Sequence, residues 1–311
     1  MPAGYFVNGT LATIYIGQGT GPRYLALTHD GSKLYVGCST SGEVVPIDVA
    51  TGIPGDPITV GAGPYSLQIT PDGTTLYVGC GGGELWPIDV ATDVAGAPFV
   101  VSGGPVDLQG MAITPDGTAV YLPNFADATV IPVAIPSGVP DTPISVGFNP
   151  DAAAITPDGA KCYVANEGET TLTPIDIASG IPGTPITVGD GTVSLLISSD
   201  GSTLYSAGAD GAVTVVDTAT DLATATIPIA AGGAIHDLAF SVDESILYAM
   251  QIIPPEAIYP VTVADQVRGG PIPVGPNPGG LAVRPDGIIY CSSQDDDNVS
   301  LVVNIPYFAP A

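Results

Sequence analysis

His236 and Asp237 stand side by side, and an imidazole next to a carboxylate can act as a general base or hold a metal ion. Neighbouring residues of a strand point to opposite faces, so in an extended segment the two would not work as one unit. The other histidine, His29, occupies the place of a proline ahead of Asp30-Gly31, where exposure at a turn accounts for it. A second concentration of chemistry is the run Asp295, Asp296, Asp297 and Asn298, joined in similar loops by Asn124, Asp127, Asn166, Glu167, Glu169 and Asp210. Carboxylates mixed with amide oxygens suit hard cations, Ca²⁺ or another divalent ion. The run lacks the Gly and terminal Glu of an EF-hand loop, and a solvated acidic loop is the competing reading. No other constellation is present. Cys38, Cys80, Cys162 and Cys291 include no Cys-X-X-Cys pair, which argues against zinc. Neither a Gly-X-Ser-X-Gly elbow nor a phosphate or dinucleotide loop occurs. Paired carboxylates are guaranteed somewhere by 31 acidic residues and are uninformative for that reason.

Charge narrows the partners. Five Lys and Arg against 31 Asp and Glu give a net charge of −26, and Arg23, Lys33, Lys161, Arg268 and Arg284 form no basic run. Such a surface repels phosphate backbones and anionic membranes, so nucleic acid is excluded as a partner. No stretch approaches the roughly 18 apolar residues of a spanning helix, so membrane insertion is not expected. A protein or a small molecule is the expected partner, with oligomeric assembly open. An extracellular, cell-surface or virion-associated setting is favoured, although Met1-Pro2-Ala3-Gly4-Tyr5 shows no signal-peptide pattern.

The elements that must position these residues come from a repeat. Asp30-Gly31, Asp72-Gly73, Asp116-Gly117, Asp158-Gly159, Asp200-Gly201, Asp243-Glu244 and Asp286-Gly287 follow one another at spacings of 42, 44, 42, 42, 43 and 43. Each unit reads as four short strands, A to D. In the second unit Tyr65 to Thr70 is A, the Pro71-Asp72-Gly73-Thr74 turn follows, Thr75 to Gly79 is B, Glu84 to Val90 is C and Pro98 to Val101 is D. One four-stranded unit cannot bury both faces alone, whereas seven stacked radially can. The sequence therefore predicts an all-β, seven-bladed β-propeller of four-stranded antiparallel blades. Its last unit lacks an outer strand, and Leu11 to Ile16 supplies one, so that residues 9–17 close the ring and residues 1–311 form a single domain. The tail from Asn304 to Ala311, with two prolines, reads as a poor strand.

The units resemble the YVTN-type β-propeller repeat, most clearly in Ile155-Thr156-Pro157-Asp158-Gly159-Ala160-Lys161-Cys162-Tyr163-Val164-Ala165-Asn166 and again from Ile69 to Val78. The resemblance covers nearly the whole chain and implies the surface-layer-like and lactonase-like seven-bladed propellers. It implies a fold, since related repeats serve varied tasks. Propellers that include the streptogramin B lyases are also similar in outline, and no catalytic set matches theirs.

Propeller ligands usually sit over the central channel, where strand A begins. Seven residues before each turn aspartate the units read Arg23, Tyr65, Gln109, Asp151, Val193, His236 and Gly279. This variety describes either an asymmetric binding surface or tolerated variation at a rim. The B-to-C loop of the sixth unit, Met250 to Ala257, is apolar with a Pro-Pro pair, and suits either a partner contact or inward packing. Two functions follow. The first is a non-enzymatic binding or structural module, such as a surface or particle component. The second is a metal-dependent lyase or hydrolase at the channel mouth, using His236, Asp237 and nearby acids. The four thiols are expected to be unpaired and buried, because equivalent positions of neighbouring blades lie too far apart for a disulfide.

Overall fold

A computed structural model describes residues 5–101 and 110–307. The described chain is all β and contains no helix. Seven antiparallel sheets succeed one another along the sequence, each built from strands in the order A-B-C-D, and they form a seven-bladed propeller. Blade 1 is representative: A is Pro22–Leu27, B is Lys33–Cys38, C is Glu43–Asp48, and D is split into Ile53–Pro54 and Ile58–Thr59, both pieces pairing with C.

The turn between A and B shows why the Asp-Gly pairs recur. In blade 2 the Asp72 carboxylate accepts from Thr70 Oγ1 at 2.6 Å and from the Thr74 amide at 3.1 Å, while Gly73 takes a φ of +74°. Those donors hold the carboxyl below the usual carboxylate range. His29, in the corresponding turn of blade 1, is exposed as expected.

Strand B departs from simple alternation. Residues Leu34 to Cys38 are buried one after another, and so are Cys162 to Asn166. A blade lies between two neighbours, so both of its faces are interior. Tyr35, Tyr163 and Tyr290 are among the largest fully buried side chains. Two of them bind the next blade: Tyr35 Oη donates to Asp93 at 2.6 Å beside the Lys33–Asp93 ion pair, and Tyr163, Lys161 and Asp221 repeat that arrangement. The four cysteines are buried and unpaired.

Outer strands are the exposed edges, and they carry prolines at Pro54, Pro140, Pro182 and Pro273. Proline cannot donate to a further strand and so blocks edge pairing.

Closure is by the N-terminal strand, with one difference from expectation. Ile14 pairs with Val299 and Tyr15 with Asn298, and Ile14 packs among Leu34, Val45 and Tyr290 of the two blades it joins. The closing strand runs from Tyr5 to Tyr15, not from 9 to 17, because strand C of blade 7 continues as Asn298–Tyr307 and Tyr5 pairs with Tyr307. Residues 304–307 thus belong to a strand despite Pro306. Strand B of that blade ends its pairing at Val302, so Pro306 lies where no ladder on that side needs its N–H.

Candidate functional site

Strand A lines the centre, and its first residues carry an irregularity that repeats from blade to blade. The pairing register between A and B slips between Pro22 and Tyr24, Pro64 and Ser66, Pro150 and Ala152, Thr192 and Ser194, Ile235 and Asp237, and Pro278 and Leu281. The residues at these slips are Arg23, Tyr65, Asp151, Val193, His236 and the Gly279-Gly280 pair. A β-bulge frees one residue from the ladder and re-aims its side chain. The position singled out by its variety is therefore the bulge itself. Tyr65, Asp151, Val193, His236 and Gly279 line one central channel holding about 400 Å³. Gln109, the third member, lies outside the described residues.

Arg23 approaches from blade 1. Its Nη2 is 3.1 Å from His236 Nε2 on blade 6, and blade 7 stands between them. The crossing depends on glycine: a Cβ on Gly279 would fall 2.6 Å from Arg23 Cα and 2.8 Å from its Cγ. A guanidinium only donates, so Nε2 must accept and the ring proton belongs on Nδ1. Burial, aided by the Arg23 charge, lowers His236 to about 4, so the imidazole is neutral near pH 7. Two buried nitrogens in this arrangement, Arg23 Nε and His236 Nδ1, lack a hydrogen-bond partner of good geometry. The guanidinium also stands 5.1 Å from the centre of the Tyr24 ring, a cation–π distance. Tyr24 is itself pushed far up, chiefly by burial, with Arg23 opposing and Asp151, Asp237 and Tyr65 adding to the rise.

Asp237 follows the bulge and has a different job. Its Oδ2 accepts from the Leu281 amide of blade 7 at 2.7 Å, and Oδ1 from the Leu238 amide at 2.9 Å. Ser66 makes the same link at the equivalent place in blade 2, accepting from the Met111 amide at 2.9 Å. Asp237 is thus a clasp between blades that happens to be a carboxylate. Burial raises it to about 6, against the pull of the Leu281 and Leu238 amides and of Ser194.

The loop acids fasten loops. Asp297 accepts from the Gly19 amide at 2.6 Å and the Gly21 amide at 3.1 Å, tying the B-to-C loop of blade 7 to the connection that leads into blade 1. Asp295 accepts from Asn277 Nδ2, Asp127 from Asn124, and Asn166 Oδ1 from the Gly147 amide. Among the described residues no three His, Cys, Asp or Glu side chains gather around one point as ligands for an ion. The run Asp295, Asp296 and Asp297 stays with the loop at the edge of blade 7, apart from the channel lining. In blade 6 the apolar loop divides: Ile252 packs against the core, while Ile253, Pro254 and Pro255 are exposed.

Sequence reasoning missed Tyr24, Gln68 and Ser194, which also line the channel. It also missed the part played by Gly279. The one signal available was a glycine at a position otherwise filled by large or polar side chains. Clefts of about 530 and 520 Å³ lie between blades elsewhere, but no set of unpartnered polar side chains converges in them.

No family model matches the chain, and no curated protein matches it in sequence. Among solved structures, a chain of hydrazine synthase from Kuenenia stuttgartiensis is similar over 98% of this chain and 100% of its own, with a TM-score of 0.81 and 18% identity. At that identity the likeness concerns the fold, and what it establishes is a seven-bladed β-propeller.

Proposed function

We propose that the protein is a non-enzymatic binding propeller whose ligand seat is the mouth of the central channel. One observation carries this reading: the bulged residue of strand A differs from blade to blade while the turns and cores around it repeat. A scaffold position under packing constraint alone tends toward one residue type, as the Asp-Gly turns do. Here Tyr65, Asp151, Val193, His236 and Gly279 line one channel, with Arg23 held against the His236 ring, and together they offer both charges, an aromatic ring and an apolar patch. Orienting a small molecule asks for that kind of mixture on rigid elements. The acidic exterior suits a surface or particle component that must stay dispersed.

The test is ligand-observed and protein-observed NMR with a fragment library on the intact chain. Fragments that perturb the His236 ring and the Tyr24 and Tyr65 rings support the seat. A library whose hits perturb only other regions overturns it. The second reading, a metal-dependent lyase or hydrolase at the same mouth, draws on the elevated Asp237 carboxyl. Titration with Ca²⁺ and Mn²⁺ separates the two, because a catalytic ion would shift or broaden the His236 and Asp237 signals.

A further inference from the structure

The channel mouth supports the most specific statement, and it rests on the binding reading above.

Cations are scarce in this chain, and three of the five are ion-paired. Lys33 pairs with Asp93, Lys161 with Asp221 and Arg284 with Asp286, while Arg268 donates to the Ile229 carbonyl at 2.6 Å. Arg23, like Arg268, has an uncharged acceptor, but that acceptor is the ring of His236, which lines the channel. In a chain with 31 acids, a guanidinium held beside an uncharged acceptor is a conspicuous choice. Its Nε is buried and unpartnered, while the proton on His236 Nδ1 has only the Gly279 backbone, in poor geometry. A buried donor without an acceptor costs free energy until something supplies one.

From these groups the geometry points to an anion seat, in which Arg23 is the charge anchor for a small organic monocarboxylate at the channel mouth. A carboxylate is a better partner for guanidinium than a neutral imidazole, and its planar oxygens match the fork. The overall charge of −26 sharpens the class, because it penalises each further negative charge on an approaching ligand. A singly charged acid with an apolar body meets that limit. Tyr24, Tyr65, Leu67 and Met111 offer such a body aromatic and apolar walls. His236 acts here as a placeholder that keeps Arg23 extended across Gly279.

The experiment compares benzoate with benzamide, and acetate with acetamide, on the unmodified protein. Calorimetry gives affinity, and His236 ring nitrogen shifts report location. Benzoate is expected to bind at least tenfold more tightly than benzamide and to move the His236 signals. Arg23→Gln should weaken benzoate at least tenfold and leave benzamide unchanged. Equal affinity for acid and amide on the unmodified protein overturns the anion seat without any variant having to fold. So does benzoate binding that Arg23→Gln leaves intact, or the absence of any His236 response to either acid. If neutral fragments still perturb Tyr24, Tyr65 and His236 in those cases, the channel seat stands and only the ligand class falls. If they do not, both fall.

Discussion

Arg23 Nη2 lies 3.1 Å from His236 Nε2 although 213 residues separate the two, and the contact passes over a glycine of the blade between them. Ring closure makes it: blades 6, 7 and 1 become neighbours only when the last blade meets the first. The fold and the candidate site therefore depend on each other.

Gly279→Ala should disturb that contact directly. The added methyl would meet Arg23 Cα and the Arg23 carbonyl at 2.6 and 2.7 Å, and backbone atoms there have little room to yield. A loss of about 1–3 kcal/mol is expected, as for other over-packed sites. The His236 ring signals should shift with it. Gly270→Ala, with no atom within 4 Å of the new Cβ, should change stability by less than about 0.5 kcal/mol. Equal behaviour of the two variants in thermal melts would refute the close approach.

Acid stability should reveal two opposed titrations. Asp237 is raised from 3.8 to about 6 in the fold, so its contribution is full below 3.8 and is lost as pH rises through 6. His236 is lowered from 6.5 to about 4, so its contribution is full above 6.5 and is lost as pH falls through 4. Between about pH 4 and 6 the two largely cancel, each spanning at most about 3 kcal/mol. Asp237→Asn should therefore lose stability on acidification across that window, and His236→Gln should gain it. Denaturant melts at pH 4.5 and 6.5 give the signs; slopes of the same sign in both variants would contradict the assignment. Asp30 and Asp200, held at about 2 by their Thr and Ser partners, titrate below this range.

The latches between blades should be costly to open. In Asp93→Ala the Tyr35 hydroxyl loses a 2.6 Å acceptor and Lys33 its ion pair. Losing a hydrogen bond to a charged group costs about 1.5–3 kcal/mol even though the Val90 carbonyl remains as a longer acceptor at 3.3 Å, and Asp221→Ala should match it through Tyr163, which keeps the Thr218 carbonyl. Asp286→Ala, which removes a more exposed ion pair, should cost under about 1 kcal/mol. Equal melting temperatures for all three would show that the latches do not matter.

Closure predicts that removing residues 1–16 is far more harmful than removing 308–311. The first deletion strips the partner from Val299 to Val303 and exposes an apolar edge. The truncated chain should aggregate or exchange strands between molecules. A monomer melting within about 3 °C of the full chain, roughly 1 kcal/mol, would contradict closure by this strand.

The sequence made the blades legible because each Asp-Gly turn is a local event, repeated at a period that four strands explain. It also marked the bulge, since Arg23, Tyr65, Asp151 and His236 break a pattern that their surroundings keep. What it could not show was which of them meet. The Arg23–His236 contact needs the ring to close and Gly279 to give way, and neither is local. Asp237 read as half of a catalytic pair, yet its geometry makes it the counterpart of Ser66, a role visible only once Leu281 and Met111 are in place. Asp297 stood out in the sequence only as one of a run of acids, and its part as acceptor for two amides nearly the whole chain away was not legible there.

The central claim is that the channel mouth is where this protein binds. Soaking crystals of the full chain with a fragment library tests it most directly, because each hit declares its own position. The account predicts that ordered fragments cluster at the start of the A strands, touching at least two of Arg23, Tyr65, Asp151, His236 and Asp237. Fragments confined to the opposite face, among the Asp-Gly turns, or to the outer strands would contradict it.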